Sequence, residues 1–168
     1  IIAFKTIDGS TNIYISDINF IDFQRITEID NGTVLFSATY DMNNNLLFID
    51  GNDLHGRQLY TLDMETYDLN KISNPGWDTR NPNFQKNSLC YSVDKSGIFN
   101  IICEKNEKKS YLTNVFGGAF MPDINHKGEV LFSLYKNGKY QIAKTNMNIE
   151  LDEVDIGYSE SYYTNRPN

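Results

Sequence analysis

At 168 residues the chain is long enough for one domain with a real core, and its 40% hydrophobic and 22% charged content is that of a globular protein, not a disordered one. A formal charge of −7 argues against non-specific nucleic-acid binding, and there is no apolar run long enough to insert this segment into a membrane as a helix. The 13% aromatic content, with eleven Tyr, ten Phe and one Trp, suits pleated, half-buried surfaces and leans toward an all-β fold.

In chain order, "IIAF" (Ile1 to Phe4) reads as the middle of a strand. The chain is therefore expected to be a segment of a longer protein whose targeting information lies upstream. Asp8-Gly9 marks a turn, "NIYI" from Asn12 a second strand, and "RIT" ending at Thr27 a third element. The order then recurs. "NLLF" (Asn45 to Phe48) is followed by the His55-Gly56 turn, "QLYT" from Gln58, and "KIS" ending at Ser73. "SLCY" (Ser88 to Tyr91) is followed by Ser96-Gly97, "NIIC" from Asn100, and "YLT" ending at Thr113. "EVLF" (Glu129 to Phe132) is followed by Asn137-Gly138, a strong hairpin signal, and "QIAK" from Gln141. The closing aromatics stand at 4, 48, 91 and 132, in steps of 44, 43 and 41. One slot before the core holds Asn44, Asn87 or Gly128, residues that tolerate the left-handed backbone of a tight turn.

A period of about 40–45 residues with three or four strands per unit is the signature of propeller blades. The continuous apolar runs "LFSL" and "IFNIIC" fit strands covered on both faces, whereas a β-sandwich has no reason to repeat in sequence. The expected fold is all-β: about four consecutive four-stranded antiparallel blades, approximately 1–30, 31–74, 75–114 and 115–160, part of a larger ring. Pro82 and Pro122 are expected to open first strands, with Thr39 in the same slot before them, and 161–168 to begin a further one. In this hairpin reading Cys90 faces Ile101 and lies diagonal to Cys103 on the same sheet face. That separation is too wide for a disulfide, so two free buried thiols are expected.

"NPNFQKNSLCYSVDKSGIFNI" followed by "LTN" resembles the TolB-type β-propeller repeat, through Asn81 to Asn83, Ser92 with Asp94, Ser96 and Gly97, Asn100 with Ile101, and Leu112 with Thr113. "GGAFMPDINHKGEVLFSLYKNGKYQIA" is similar, so about two good repeats cover Asn81 to Ala143. None of the units keeps the family's Pro-Asp in the first turn. The resemblance implies a scaffold: a protein-binding propeller of the bacterial envelope, periplasmic or extracytoplasmic, or the gating propeller of a prolyl-oligopeptidase-type serine peptidase.

Catalytic signals are thin. There is no G-x-S-x-G, and the two histidines, His55 and His126, fall in turns of different units. "DGNDLHG" (Asp50 to Gly56) alternates oxygen ligands but lacks the terminal Glu of a calcium loop, and reads as a polar hairpin. "SVDKSGIF" (Ser92 to Phe99) approaches the sialidase Asp-box, a structural turn, and scattered acids such as Asp123, Glu129 and Asp152 leave a carbohydrate-active propeller as a third reading. The chain is expected to be non-catalytic, with no cofactor and no metal. Its best candidate surface is the pair of connections "PGWDTRNP" and "VFGGAFMP". There Trp77, Arg80, Phe116, Phe120 and Met121 are residue types enriched in interface hot spots and would bind a protein partner through rim loops. Packing between blades is the competing role for the same residues.

Overall fold

A computed structural model describes residues 1–153 except Pro75 and Glu107. The described residues form fourteen strands and no α-helix. They are β1 (Ile2–Ile7), β2 (Ser10–Ser16), β3 (Phe23–Arg25), β4 (Val34–Asp41), β5 (Leu46–Asp53), β6 (Gly56–Asp63), β7 (Leu69–Lys71), β8 (Thr79–Gln85), β9 (Ser88–Val93), β10 (Asn100–Lys105), β11 (Lys108–Tyr111), β12 (Ala119–Ile124), β13 (Glu129–Lys136) and β14 (Lys139–Asn146). Four sheets follow one another along the chain, in the orders β1-β2-β3, β4-β5-β6-β7, β8-β9-β10-β11 and β12-β13-β14. Every sheet keeps its strands in sequence order, the meander of a propeller blade. The first and last of them have three strands among the described residues and the middle two have four. The expected start at 161–168 lies outside the described residues.

Turn chemistry sets the hairpins. Asn137 and Gly138 both have positive φ (53° and 77°), the backbone of a two-residue type I′ loop that matches strand twist. Asp8 and Gly9 repeat it at 51° and 82°. Before the cores, Asn87 and Gly128 are left-handed as expected, but in the remaining unit the left-handed residue is Asn45, not Asn44. Asn44 instead donates from its side chain to Asp41 at 2.7 Å.

The recurring amide and the recurring hydroxyl turn out to be two halves of one device. In the first sheet Thr27 Oγ donates to Asn12 Oδ1 (3.1 Å) while accepting from Ile13 N (2.9 Å), and Asn12 Oδ1 also accepts from Ile29 N (2.7 Å). In the third, Thr113 Oγ donates to Asn100 Oδ1 (3.0 Å) and accepts from Ile101 N (2.9 Å), and Asn100 Oδ1 accepts from Val115 N (2.9 Å). Ser73 does the same between Gln58 Oε1 (2.7 Å) and Leu59 N (2.9 Å). All six side chains except Ser73 are buried, and pairing satisfies polar atoms that would be costly to bury alone. Each clasp fastens the end of a sheet's outermost segment to the strand beside it.

The chain divides into two compact units, Ile1–Phe84 and Gln85–Asn168. In the first, Ile13, Ile26, Leu35, Leu47, Ile49, Tyr60 and Leu62 form the core. In the second, Cys90, Ile101, Cys103, Leu112, Ala119, Ile124, Val130 and Phe132 do so. Full burial of side chains such as Ile13 or Ile49 contributes about 1.5–3 kcal/mol each.

Two expectations need correction. Cys90 and Cys103 are joined in a disulfide, directly opposite each other with Cα atoms 4.1 Å apart. The four-residue turn closed by Gly97 N to Asp94 O (2.6 Å) would alone place Cys90 opposite Ile101. Ile98 and Phe99 extend the loop before the ladder begins at Asn100↔Val93, which moves the register by two and pairs the cysteines. Nor do the prolines open their strands: β8 and β12 begin three residues earlier. Pro122 lies where β12 slips register against β13 between Phe120 and Asp123, a bulge that accommodates a residue without an N–H.

Candidate functional site

Within the first unit, Trp77 is half-buried in the bend before β8, and Arg80 follows on that strand. Asp78 organises the segment. Its carboxylate accepts Arg57 N (2.8 Å) and the Arg80 guanidinium (3.0 Å), and it approaches Gly56 so closely that a Cβ there would stand 2.5 Å from Asp78 Oδ1. Arg57 lies 4.0 Å over the Phe36 ring and pairs with the fully buried Asp50. Asp50 also accepts Ser37 N, Ser37 Oγ and Asn81 N (2.9, 2.6 and 3.1 Å), so its oxygens are committed to holding strands together.

Within the second unit, Phe116 is 72% exposed and Met121 65% exposed, while Phe120 is half-buried. Phe120 joins an aromatic row: its ring centroid is 5.1 Å from that of Phe99 and 6.2 Å from Tyr140, which is 5.0 Å from Tyr135. Phe120 therefore serves packing, while Phe116 and Met121 project. Two backbone features hold them out. A Cβ on Gly117 would fall 1.9 Å from the Tyr135 carbonyl oxygen, and Tyr135 N donates to Gly118 O at 2.9 Å, so only glycine lets the Phe116 connection lie against β13. Met121 has a φ of 54° in the β12 bulge, directly before Pro122, as Asn81 (57°) stands directly before Pro82. The expected surface thus falls in two parts, Trp77 with Arg80 on one unit and Phe116 with Met121 on the other.

Sequence reasoning passed over a second apolar projection. The loop between β2 and β3 exposes Ile18 (83%), Phe20 and Ile21 (74%), with Phe20 at a φ of 56°. Asp17 fixes its shape by accepting Ile21 N (3.2 Å) and the Asn19 amide (3.1 Å), and the Ile21 N–H is the main cause that holds the Asp17 carboxyl below its usual range. The available signal was "INFIDF", apolar where the corresponding loop between β6 and β7, "METYD", is polar.

The titratable groups are tied into the sheets. Burial works against the charged form of Asp53, but the Lys71 ammonium, the His55 N–H and the Tyr60 hydroxyl together hold its carboxyl low. Burial, then Asp53, pushes the Tyr60 hydroxyl well above its ordinary value. Lys144 (2.8 Å) and then Asn125 (2.8 Å) hold Glu129 low. His55 and His126 are exposed in turns, as the sequence suggested. Among the described residues no cluster of His, Cys, Asp or Glu is arranged to hold a metal ion, and no helix is long and apolar enough to cross a membrane.

No family model matches the sequence, and no curated protein matches it. Solved structures do. The chain is similar to a putative TolB from Agrobacterium tumefaciens, with a TM-score of 0.71 and 11% identity over 87% of this chain and 57% of that one. It is similar to TolB from Acinetobacter baumannii, with a TM-score of 0.70 and 15% identity over 89% of this chain and 38% of that one. A prolyl endopeptidase structure gives a TM-score of 0.64 and 12% identity over 87% of this chain and 24% of that one. The chain has a TolB-like β-propeller fold, and it spans 57% or less of the length of these structures.

Proposed function

We propose that this chain is a non-catalytic propeller segment of a bacterial cell-envelope protein, on the extracytoplasmic side, and that it binds a protein partner through its rim loops. One observation carries the reading: Phe116 and Met121 are large, apolar and exposed on backbone that Gly117 and the β12 bulge hold in place. Large apolar side chains carried on fixed backbone spare the cost of ordering the loop on binding, and fully buried ones are the usual energetic centres of interfaces. Arg80, anchored through Asp78, and the nearby Trp77 supply a second contact. The similarity to TolB structures supports the setting, as does the disulfide, since such bonds persist in oxidising compartments.

A photo-crosslinking residue at position 116 tests it. One envelope protein should be captured in cells, and Met121→Asp should weaken that capture by about tenfold or more while the melting temperature stays within a few degrees. A natively folded chain that captures no protein at 116 or at 77 would overturn the assignment.

The prolyl endopeptidase similarity favours one alternative, a propeller that gates a peptidase domain elsewhere in the protein. A G-x-S-x-G serine in the full-length protein, whose replacement abolishes peptide hydrolysis, would establish that reading in place of the scaffold.

A further inference from the structure

The disulfide lies at the edge of a cavity, and its two sulfur-bearing residues differ in what they face. Both belong to the core of the second unit, Cys90 with no exposed surface and Cys103 7% exposed. Cys103 lines a cavity of about 350 Å³ together with Lys105, Lys108, Ser110, Met147 and Glu150. Strand register explains the composition. Cys103 and Lys105 are two apart on β10 and share a face, and their partners across β11 are Ser110 and Lys108. The far wall is the segment that follows β14. It turns back at Met147 N to Gly128 O (3.0 Å), bridges Tyr111 through Leu151 (3.0 and 3.4 Å), and pairs Glu150 with Lys108. Lys105 is exposed and Lys108 is paired with Glu150, so the lining carries one positive charge beyond its ion pair.

We propose that this cavity is a site for small, carboxylate-bearing thiols and that Cys103 is the sulfur they attack. The thiolate of the incoming molecule forms a bond to Cys103 Sγ, and the Cys90–Cys103 bond breaks. The electron pair leaves on Cys90 Sγ, which takes up the proton that the incoming thiol gave up. The product is a mixed disulfide on Cys103 and a thiol on Cys90. The step consumes one thiol and yields another, so no separate oxidant or reductant is required. Cys90 is shut off in the core, which leaves Cys103 as the accessible electrophile. The lysines raise the local concentration of an anionic thiol over a neutral one. With its Cα 4.1 Å from that of Cys103, the Cys90 thiolate is placed to reverse the step, so the adduct is transient and the bond exchangeable without unfolding.

Reduced glutathione, with its two carboxylates, and uncharged 2-mercaptoethanol are the probes. The oxidised chain is pulsed with each in native buffer, quenched in acid, alkylated and mapped by peptide mass spectrometry. The expected product carries glutathione on Cys103 and the alkyl label on Cys90. Lys105→Gln with Lys108→Gln should slow glutathione on the order of tenfold and leave the mercaptoethanol rate unchanged, which also reports that the cavity is intact. Adducts on Cys90, exchange that appears only with denaturant, or equal slowing of both thiols would each overturn the proposal.

Discussion

The hairpins β9–β10 and β13–β14 come from corresponding places in the repeat, yet they are buried differently. Every residue of β9 is buried, whereas β13 alternates, with Val130 and Phe132 inward and Leu131 46% exposed. The amides that open the second strand of each hairpin differ in the same way. Asn100 is buried and clasped to Thr113 and Val115, but Gln141 is exposed on β14, a strand whose burial pattern is open along most of its length. Among the described residues a hydroxyl-bearing segment comes alongside Asn100 and none comes alongside Gln141.

The comparison can be broken most directly at Asn100. Asn100→Leu keeps the volume but leaves the Thr113 hydroxyl and the Val115 N–H without their acceptor, and should cost about 3 kcal/mol in urea unfolding. A cost near zero would mean that the clasp is incidental. Replacing Cys90 and Cys103 together by Ala opens a cross-link of sequence separation 13 and should cost about 2–3 kcal/mol by the same measurement. Thr113→Val removes one donor and the acceptor for Ile101 N, for about 1–2 kcal/mol.

Acid sharpens the contrast between a held carboxylate and an open one. Asp53 has a folded-state pKa below its unfolded value, so its contribution is fully present above about pH 4 and is lost as pH falls through the lower folded value. Asp53→Asn should therefore flatten the fall in melting temperature below about pH 4 more than Glu129→Gln, whose carboxylate is held low by Lys144 and Asn125 at the half-buried start of β13. Equal flattening would show that burial of the Asp53 cluster adds nothing. At the bottom of the scale, Gln141→Ala should change stability by no more than about 0.5 kcal/mol.

The repeat was legible because its marks are local. Asn137-Gly138 and Asp8-Gly9 declare type I′ turns in two residues, and amides and hydroxyls recur at fixed offsets. What the offsets accomplish was not legible, since a hydrogen bond between Asn100 and Thr113 depends on how three strands stack. The cysteine pairing failed for a related reason: Asp94 to Gly97 announces a turn, but only the structure shows that Ile98 and Phe99 stay outside the ladder. In these connections residue type could not separate the exposed Phe116 and Met121 from Phe120, whose neighbours Phe99 and Tyr140 are 21 and 20 positions away. The Ile18 to Phe23 loop was missed because exposure of apolar residues is invisible until the face that each strand end presents is known.

The clasps also redefine what counts as a module in this chain. Two of the three reach past their own sheets, from Asn100 to Val115 N and from Asn12 to Ile29 N, into the linker that leads onward. A transplant or circular permutation that respects sheet borders would sever that tether, whereas one cut just ahead of the amide carries amide, hydroxyl and linker together. Recombination between copies should be tolerated at the second kind of junction and punished at the first.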